Sequence, residues 1–297
     1  MTASLAHVRQ FVVPLPDGRS LHAYEGGDPS GQLVVVHHGT PGSGLLRREW
    51  VEDAREHGIR LVGYDRAGYG GSTRHQGRSV ADVAPDIAAL ADSLGADRFL
   101  TWGASGGGPH ALACAANLPD RVVAAASVAS VAPYDAVGLD FLDGMGQDNL
   151  DEFGAAALGE QALRPYLSAQ TAGLLAASPE SLREAMDGLL SDVDRDALTG
   201  ETAEFVHGSM TSGLRQSCDG WLDDDLAFVS AWGFDVDSIV VPVLVMQGEQ
   251  DLMVPFAHGR WLAAAVLSAT VRLMADEGHI SLAAKVPEVH DWLLSQA

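Results

Sequence analysis

Residues 100–110 read LTWGASGGGPH, with Ser105 placed among four glycines where an apolar run gives way to an alanine-rich one. The run RFLTWGA has the continuous hydrophobicity of a buried strand, and GGGPHALACAANL reads as a helix beginning at Gly106. Gly103-Ala104-Ser105-Gly106-Gly107 matches G-x-S-x-G, the spacing of a nucleophile elbow. In such a turn the serine takes a strained conformation that lifts its hydroxyl above the sheet. The glycines two positions before and after it let strand and helix approach closely. Pro109 falls in the first helical turn, where a missing N–H costs little. A glycine-rich strand–helix turn can also cradle phosphate. Here, however, no Lys-Ser/Thr pair follows the glycines, and GASGGG is not G-x-G-x-x-G.

A serine hydroxyl is a weak nucleophile until a base takes its proton. After an elbow serine, the acid and then the histidine follow in chain order. Asp251 comes directly after VPVLVMQGEQ, at the end of a buried-looking strand, and His279 in DEGHISL lies just past the run VRLM. One loop, one helix and one strand separate them, so two neighbouring strand ends can bring carboxylate and imidazole together, with His279 facing Ser105. Glu249 and Asp225 are the competing acids, and His258 is the competing base. Tetrahedral acyl chemistry also needs two N–H donors for the developing oxyanion. Gly106, next after the serine, offers one. The turn His38-Gly39-Thr40-Pro41-Gly42, leaving the strand LVVVHHG, offers Thr40 N–H as the other.

The elements that must hold these residues alternate regularly. A hairpin is expected over the first thirty residues: HVRQFVVPL, the turn PDG, then RSLHAYEGG. Strands follow at 33–39 and 59–65, with the helical stretch LLRREWVEDAREHG between them. A helix over 80–95, the strand and helix around Ser105, and a strand over 122–130 continue the pattern. This alternation predicts an α/β fold: a mostly parallel sheet covered by helices on both faces. Near Pro133 it stops, and residues 133–232 carry only helix-period patches such as SPESLREAMDGLLSDV. Strand signals return at 240–251 and 270–279, with a helix between them and another at the C-terminus. The expected organisation is a core of residues 1–132 and 233–297, split by a helical insertion of residues 133–232.

Composition bounds the partners. The chain has 297 residues, 47% of them hydrophobic and 20% charged, with a formal net charge of −22. So acidic a surface repels phosphate backbones, which excludes nucleic acid as the expected partner. The most apolar run, VVAAASVASVA, is too short to cross a bilayer, and MTASLAHVRQ lacks a signal-peptide core. Two cysteines, Cys114 and Cys218, make neither a disulfide framework nor a zinc site. A cytoplasmic location is the expectation, with no membrane partner.

Taken in order, HHGTPGS, YDRAGYGGS, GASGGGPHA, MQGEQDLMVP and EGHISLA resemble the motifs of the α/β-hydrolase superfamily over nearly the whole chain. The resemblance is to the branch with HGxPG loops and helical caps, which holds esterases, proline iminopeptidase-like enzymes and cofactor-free haloperoxidases. It implies an α/β-hydrolase fold with Ser105, Asp251 and His279 as the catalytic triad and Thr40 and Gly106 as the oxyanion hole. Asp65 and Arg66 of DRAGYGGS are implied to brace loops. The implied activity is cleavage of an ester or amide of a small molecule, with no metal or organic cofactor. Residues 133–232 would form a cap that selects the substrate, and acidic cap residues such as Glu201 and Glu204 could receive an amine. An iminopeptidase-like aminopeptidase and a non-catalytic ligand-binding homologue are the alternatives. HGTPG and GASGG depart from the HGGPG and GGSWG usual in iminopeptidases.

Overall fold

The computed structural model describes residues 8–297. His7, with which the expected first strand begins, lies outside the described residues. Eight strands form one sheet in the order β1-β2-β4-β3-β5-β6-β7-β8. The hairpin is β1 (Arg9–Pro14) and β2 (Ser20–Gly27), and β2 pairs antiparallel with β4 (Ile59–Tyr64). From β4 onward every pairing is parallel, through β3 (Gln32–His37), β5 (Phe99–Ala104), β6 (Val122–Val128), β7 (Val243–Gly248) and β8 (Ala269–Met274).

The central strands are mostly apolar because both faces are covered. Alternate residues serve alternate layers. Val35, Val62, Ala125 and Val245 face a core beneath α2 (Val83–Ser93), α3 (Gly108–Asn117) and α10 (Phe256–Ala265). Val34, Val36, Leu61, Leu100 and Leu244 face the opposite core, beneath α1 (Arg48–Glu56) and α11 (Val286–Leu294). α1, α2, α10 and α11 bury one stripe each, whereas α3 is buried nearly all round.

Between β6 and β7 the chain is helical, as its periodicity predicts. It forms α4 (Gln147–Ala157), α5 (Glu160–Ala176), α6 (Leu182–Ala185), α7 (Asp192–Ala197), α8 (Gly200–Leu214) and α9 (Asp219–Phe228). The helix after Ser105 starts later than the expected Gly106. Residues Ser105–Gly107 make one tight 3-10 turn, and the α-helix runs from Gly108. The left-handed backbone of Ser105 cannot open an α-helix directly, so one tighter turn intervenes. Among the described residues no helix is long and apolar enough to cross a membrane.

Candidate active site

Ser105 directly follows β5 and has a φ of +53°, one of two non-glycine residues with positive φ among those described. A left-handed backbone at a residue with a Cβ stores strain, and the surrounding packing must impose it. That packing requires the flanking glycines. A Cβ on Gly103 would collide with the Gly107 carbonyl, and one on Gly107 with the carbonyl of His37 in β3. The pattern G-x-S-x-G is thus a record of backbone contacts on both sides of the turn.

Asp251 and His279 follow the C-terminal ends of the paired strands β7 and β8. His279 Nδ1 donates to Asp251 Oδ2 at 2.7 Å. Asp251 is buried, and its orientation is fixed by three further donors. Its Oδ1 accepts from Met253 N–H at 2.9 Å and Val254 N–H at 2.8 Å, and its Oδ2 accepts from Gln247 Nε2 at 3.0 Å. Burial opposes the charged form of His279, but the Asp251 and Asp194 carboxylates outweigh it and raise the imidazole above its ordinary value. With Nδ1 committed to Asp251, Nε2 is the nitrogen left for a proton from a nucleophile.

The alternatives lie elsewhere. His258 is fully buried: its Nδ1 accepts from Ala132 N–H at 3.1 Å and its Nε2 donates to the Phe141 carbonyl at 2.9 Å. Burial pushes it down to about 4, so it is a neutral structural bridge. Glu249 is exposed, and Asp225 lies on α9, where no N–H group reaches its oxygens.

Thr40 lies beside the elbow, and a Cβ on Gly106 would strike its hydroxyl. Its N–H donates to no acceptor among the described residues. Its side chain is tied down from a direction that sequence reasoning missed. Thr40 Oγ1 donates to Asp224 Oδ2 at 2.6 Å and accepts from Arg66 Nη2 at 3.0 Å. Asp224, fully buried on α9, also receives Arg66 Nη2 at 2.6 Å, Arg78 Nη2 at 2.6 Å and the Tyr69 hydroxyl at 2.8 Å. Burial alone would favour its neutral form, yet Arg66 and Arg78 hold it well below the usual carboxylate range. Arg66 further donates to the His38 carbonyl, so it braces the loop as the DRAGYGGS resemblance implied. Asp65 does the same by accepting from Gly44 N–H at 2.8 Å and Gly71 N–H at 2.9 Å.

A second buried carboxylate from the inserted helices, Asp194 on α7, holds the loop that bears His279. It accepts the N–H groups of His279 at 2.9 Å, Ile280 at 2.7 Å and Ser281 at 3.0 Å. A side chain at Gly278 would fill the space this carboxylate occupies. Nothing local in SDVDRDA distinguishes Asp194 from its exposed neighbours. In DGWLDDDLAF, the run that holds the competing acid Asp225, all three consecutive acids are buried.

Ser105, Gly106, Thr40 and His279 all line one cavity of about 280 Å³ between the strand ends and the inserted helices. Trp50, Trp102, Phe153 and Phe228 contribute apolar wall, which is the make-up of a small-molecule pocket. Glu201 and Glu204, candidates for receiving an amine, are exposed and line none of it.

Fold and strand-end geometry define a family. The model for the alpha/beta hydrolase fold matches residues 32–285, and the chain belongs to that family. Within it, the chain is 29% identical over 272 residues to a non-heme chloroperoxidase of Streptomyces lividans, covering 90% of this chain and 91% of that one. It is 28% identical over 123 residues to a probable proline iminopeptidase of Leptolyngbya boryana, covering 40% of this chain and 37% of that one. A crystal structure of bromoperoxidase from Bacillus anthracis superposes with a TM-score of 0.70 at 21% identity, covering 97% and 99% of the two chains.

Proposed function

We propose that the protein is a serine hydrolase that cleaves a carboxylic ester, or an amide, of a small molecule through an acyl-enzyme. The observation that carries this reading is the His279–Asp251 hydrogen bond of 2.7 Å at the wall of the cavity that also holds Ser105 at φ +53°. In the proposed reaction Ser105 Oγ attacks the carbonyl carbon while His279 Nε2 accepts its proton. Asp251 keeps the imidazole in the Nδ1–H tautomer and stabilises the imidazolium that forms. The oxyanion receives the N–H groups of Thr40 and Gly106. His279 returns the proton to the leaving group, and a water molecule repeats the sequence to release the acid. Residues 133–232 act as a cap that roofs the cavity and selects the substrate.

HGTPG in place of HGGPG favours the esterase over the iminopeptidase reading, because Thr40 adds a branched side chain where the iminopeptidase pattern has none. The decisive experiment is labelling with a fluorophosphonate probe, comparing the native protein with Ser105→Ala. Labelling confined to the native protein supports the serine hydrolase. Equal labelling of both, or none of either, refutes it. A panel of p-nitrophenyl esters and prolyl or alanyl arylamides then separates esterase from aminopeptidase, and turnover confined to the arylamides overturns the esterase reading.

A further inference from the structure

The wall of the cavity contributed by the inserted helices holds carboxyl groups that the reaction does not use. Asp225 on α9 is fully buried and lines the cavity; no N–H or hydroxyl reaches either of its oxygens, and its hydrogen-bond neighbour is the carboxyl of Glu152. Glu152 on α4 lines the same cavity, where it accepts from Trp221 Nε1 at 2.8 Å. Asp148, one turn earlier on α4, lies on that wall too. The arginines around the cavity are committed elsewhere: Arg78 binds Asp224, and Arg47, which lines the cavity, binds Glu49 and Thr202. Two carboxyl groups this close cannot both stay ionised in an apolar wall, and only a proton or a cation between them relieves the repulsion.

We propose that Asp225 and Glu152 form a subsite for the protonated amine of the substrate, so that the ester or amide cleaved at Ser105 belongs to a small molecule bearing an alkylammonium group. The proposal rests on the serine-hydrolase reading for what is cleaved, but not for what is bound. Two unfilled Asp225 oxygens call for more donors than one hydroxyl can supply, whereas an ammonium brings two or three N–H groups and the missing charge. Trp221 and Tyr166 also line the cavity, and aromatic rings suit a cation. Among the described residues no group of three or more His, Cys, Asp or Glu has the arrangement of a metal site, so an organic cation fits better than a metal ion. Without a cation, a proton takes its place. Burial raises Glu152 to about 7, and burial with the neighbouring Glu152 raises Asp225 well above the usual range. A substrate ammonium displaces that proton and pairs with both groups.

The test has a binding arm and a turnover arm. In the first, Ser105→Ala is titrated calorimetrically with butylammonium and with its neutral counterpart 1-butanol. Butylammonium is expected to bind at least about 10-fold more tightly, the lower bound for a hydrogen bond to a charged group, and to lose that margin when Asp225→Asn is added. In the second, p-nitrophenyl 6-aminohexanoate, whose amine is too distant to cyclise readily, is compared with the equally long heptanoate. The native protein is expected to prefer the amino ester by about 10- to 100-fold in kcat/KM, and Asp225→Asn or Glu152→Gln to bring that ratio toward one. Butanol binding as tightly as butylammonium overturns the proposal, as does a native ratio at or below one. If Asp225→Asn fails to fold, Glu152→Gln and the two native arms still decide. Failure of fluorophosphonate labelling would sink the hydrolase reading alone, because the calorimetric arm needs no turnover.

Discussion

Replacing Thr40 by valine separates what its side chain does from what its backbone does. Valine keeps the shape and the N–H but removes the 2.6 Å bond to Asp224 and the 3.0 Å bond from Arg66. Each involves a charged partner, and such bonds contribute about 1.5–3 kcal/mol. Asp224 keeps Arg66, Arg78 and Tyr69, so the loss is partial, on the order of 3 kcal/mol. That energy holds the loop in register with the elbow. On the proposed mechanism, a released loop lets Thr40 N–H drift from the oxyanion, and a shift of about 1 Å costs roughly 100-fold in rate. The oxyanion exists only after attack, so the loss is expected in kcat, by about 10- to 100-fold, with little change in KM. Thr40→Ser, which restores the hydroxyl, should recover most of it. Steady-state hydrolysis of p-nitrophenyl acetate reads both parameters, with the melting temperature confirming a folded variant. A folded Thr40→Val with kcat within about two-fold of native would refute the claim that Asp224 sets this loop.

Three other outcomes follow from the geometry. Gly106→Ala drives a methyl into the Thr40 hydroxyl, so kcat should fall by about 100-fold or more, as when an oxyanion donor is lost, and unchanged turnover would remove Thr40 from the site. Asp194→Asn leaves one oxygen for the three N–H groups of residues 279–281, and faster hydrogen exchange at those amides should accompany a kcat loss of about 10-fold. His279 must be neutral to accept a proton, and its Asp251 and Asp194 neighbours raise it above the ordinary 6.5. Rate should therefore fall as pH drops through that raised value. The shift adds stability below pH 6.5 that is lost as pH rises through the raised value. Asp251→Asn, with burial left to dominate, should move the kinetic limb to lower pH; a limb that stays in place would assign it to another group.

How far the sequence could be read depended on where each residue sits. Strand ends are punctuated by glycine and proline, and burial on both faces leaves unbroken apolar runs. Thr40, Ser105, Asp251 and His279 could therefore each be placed after a particular strand, and the β7–β8 pairing then brings the last two together. The inserted helices gave only their existence and period. Asp224 and Asp194 look like surface acids because their partners, Arg66 and the amides after Gly278, are adjacent only in the folded chain. Glu201 and Glu204 drew attention as possible amine ligands, yet they face solvent, while Glu152 and Asp225 line the cavity. Helical periodicity tells which residues share a face, and not which neighbour that face meets.

Asp194 and Asp224 also bear on how far this protein can be treated as interchangeable parts. Specificity in a fold with an inserted helical segment invites engineering by exchange, with the roof of one relative grafted onto the core of another. Here the inserted helices carry the anchors of two loops that follow strands of the sheet, one at Thr40 and one at His279. A grafted segment without carboxylates at both places would leave a correctly folded sheet with slack loops, and selectivity and rate would change together. Residues 133–232 are better regarded as half of a frame whose other half is the sheet.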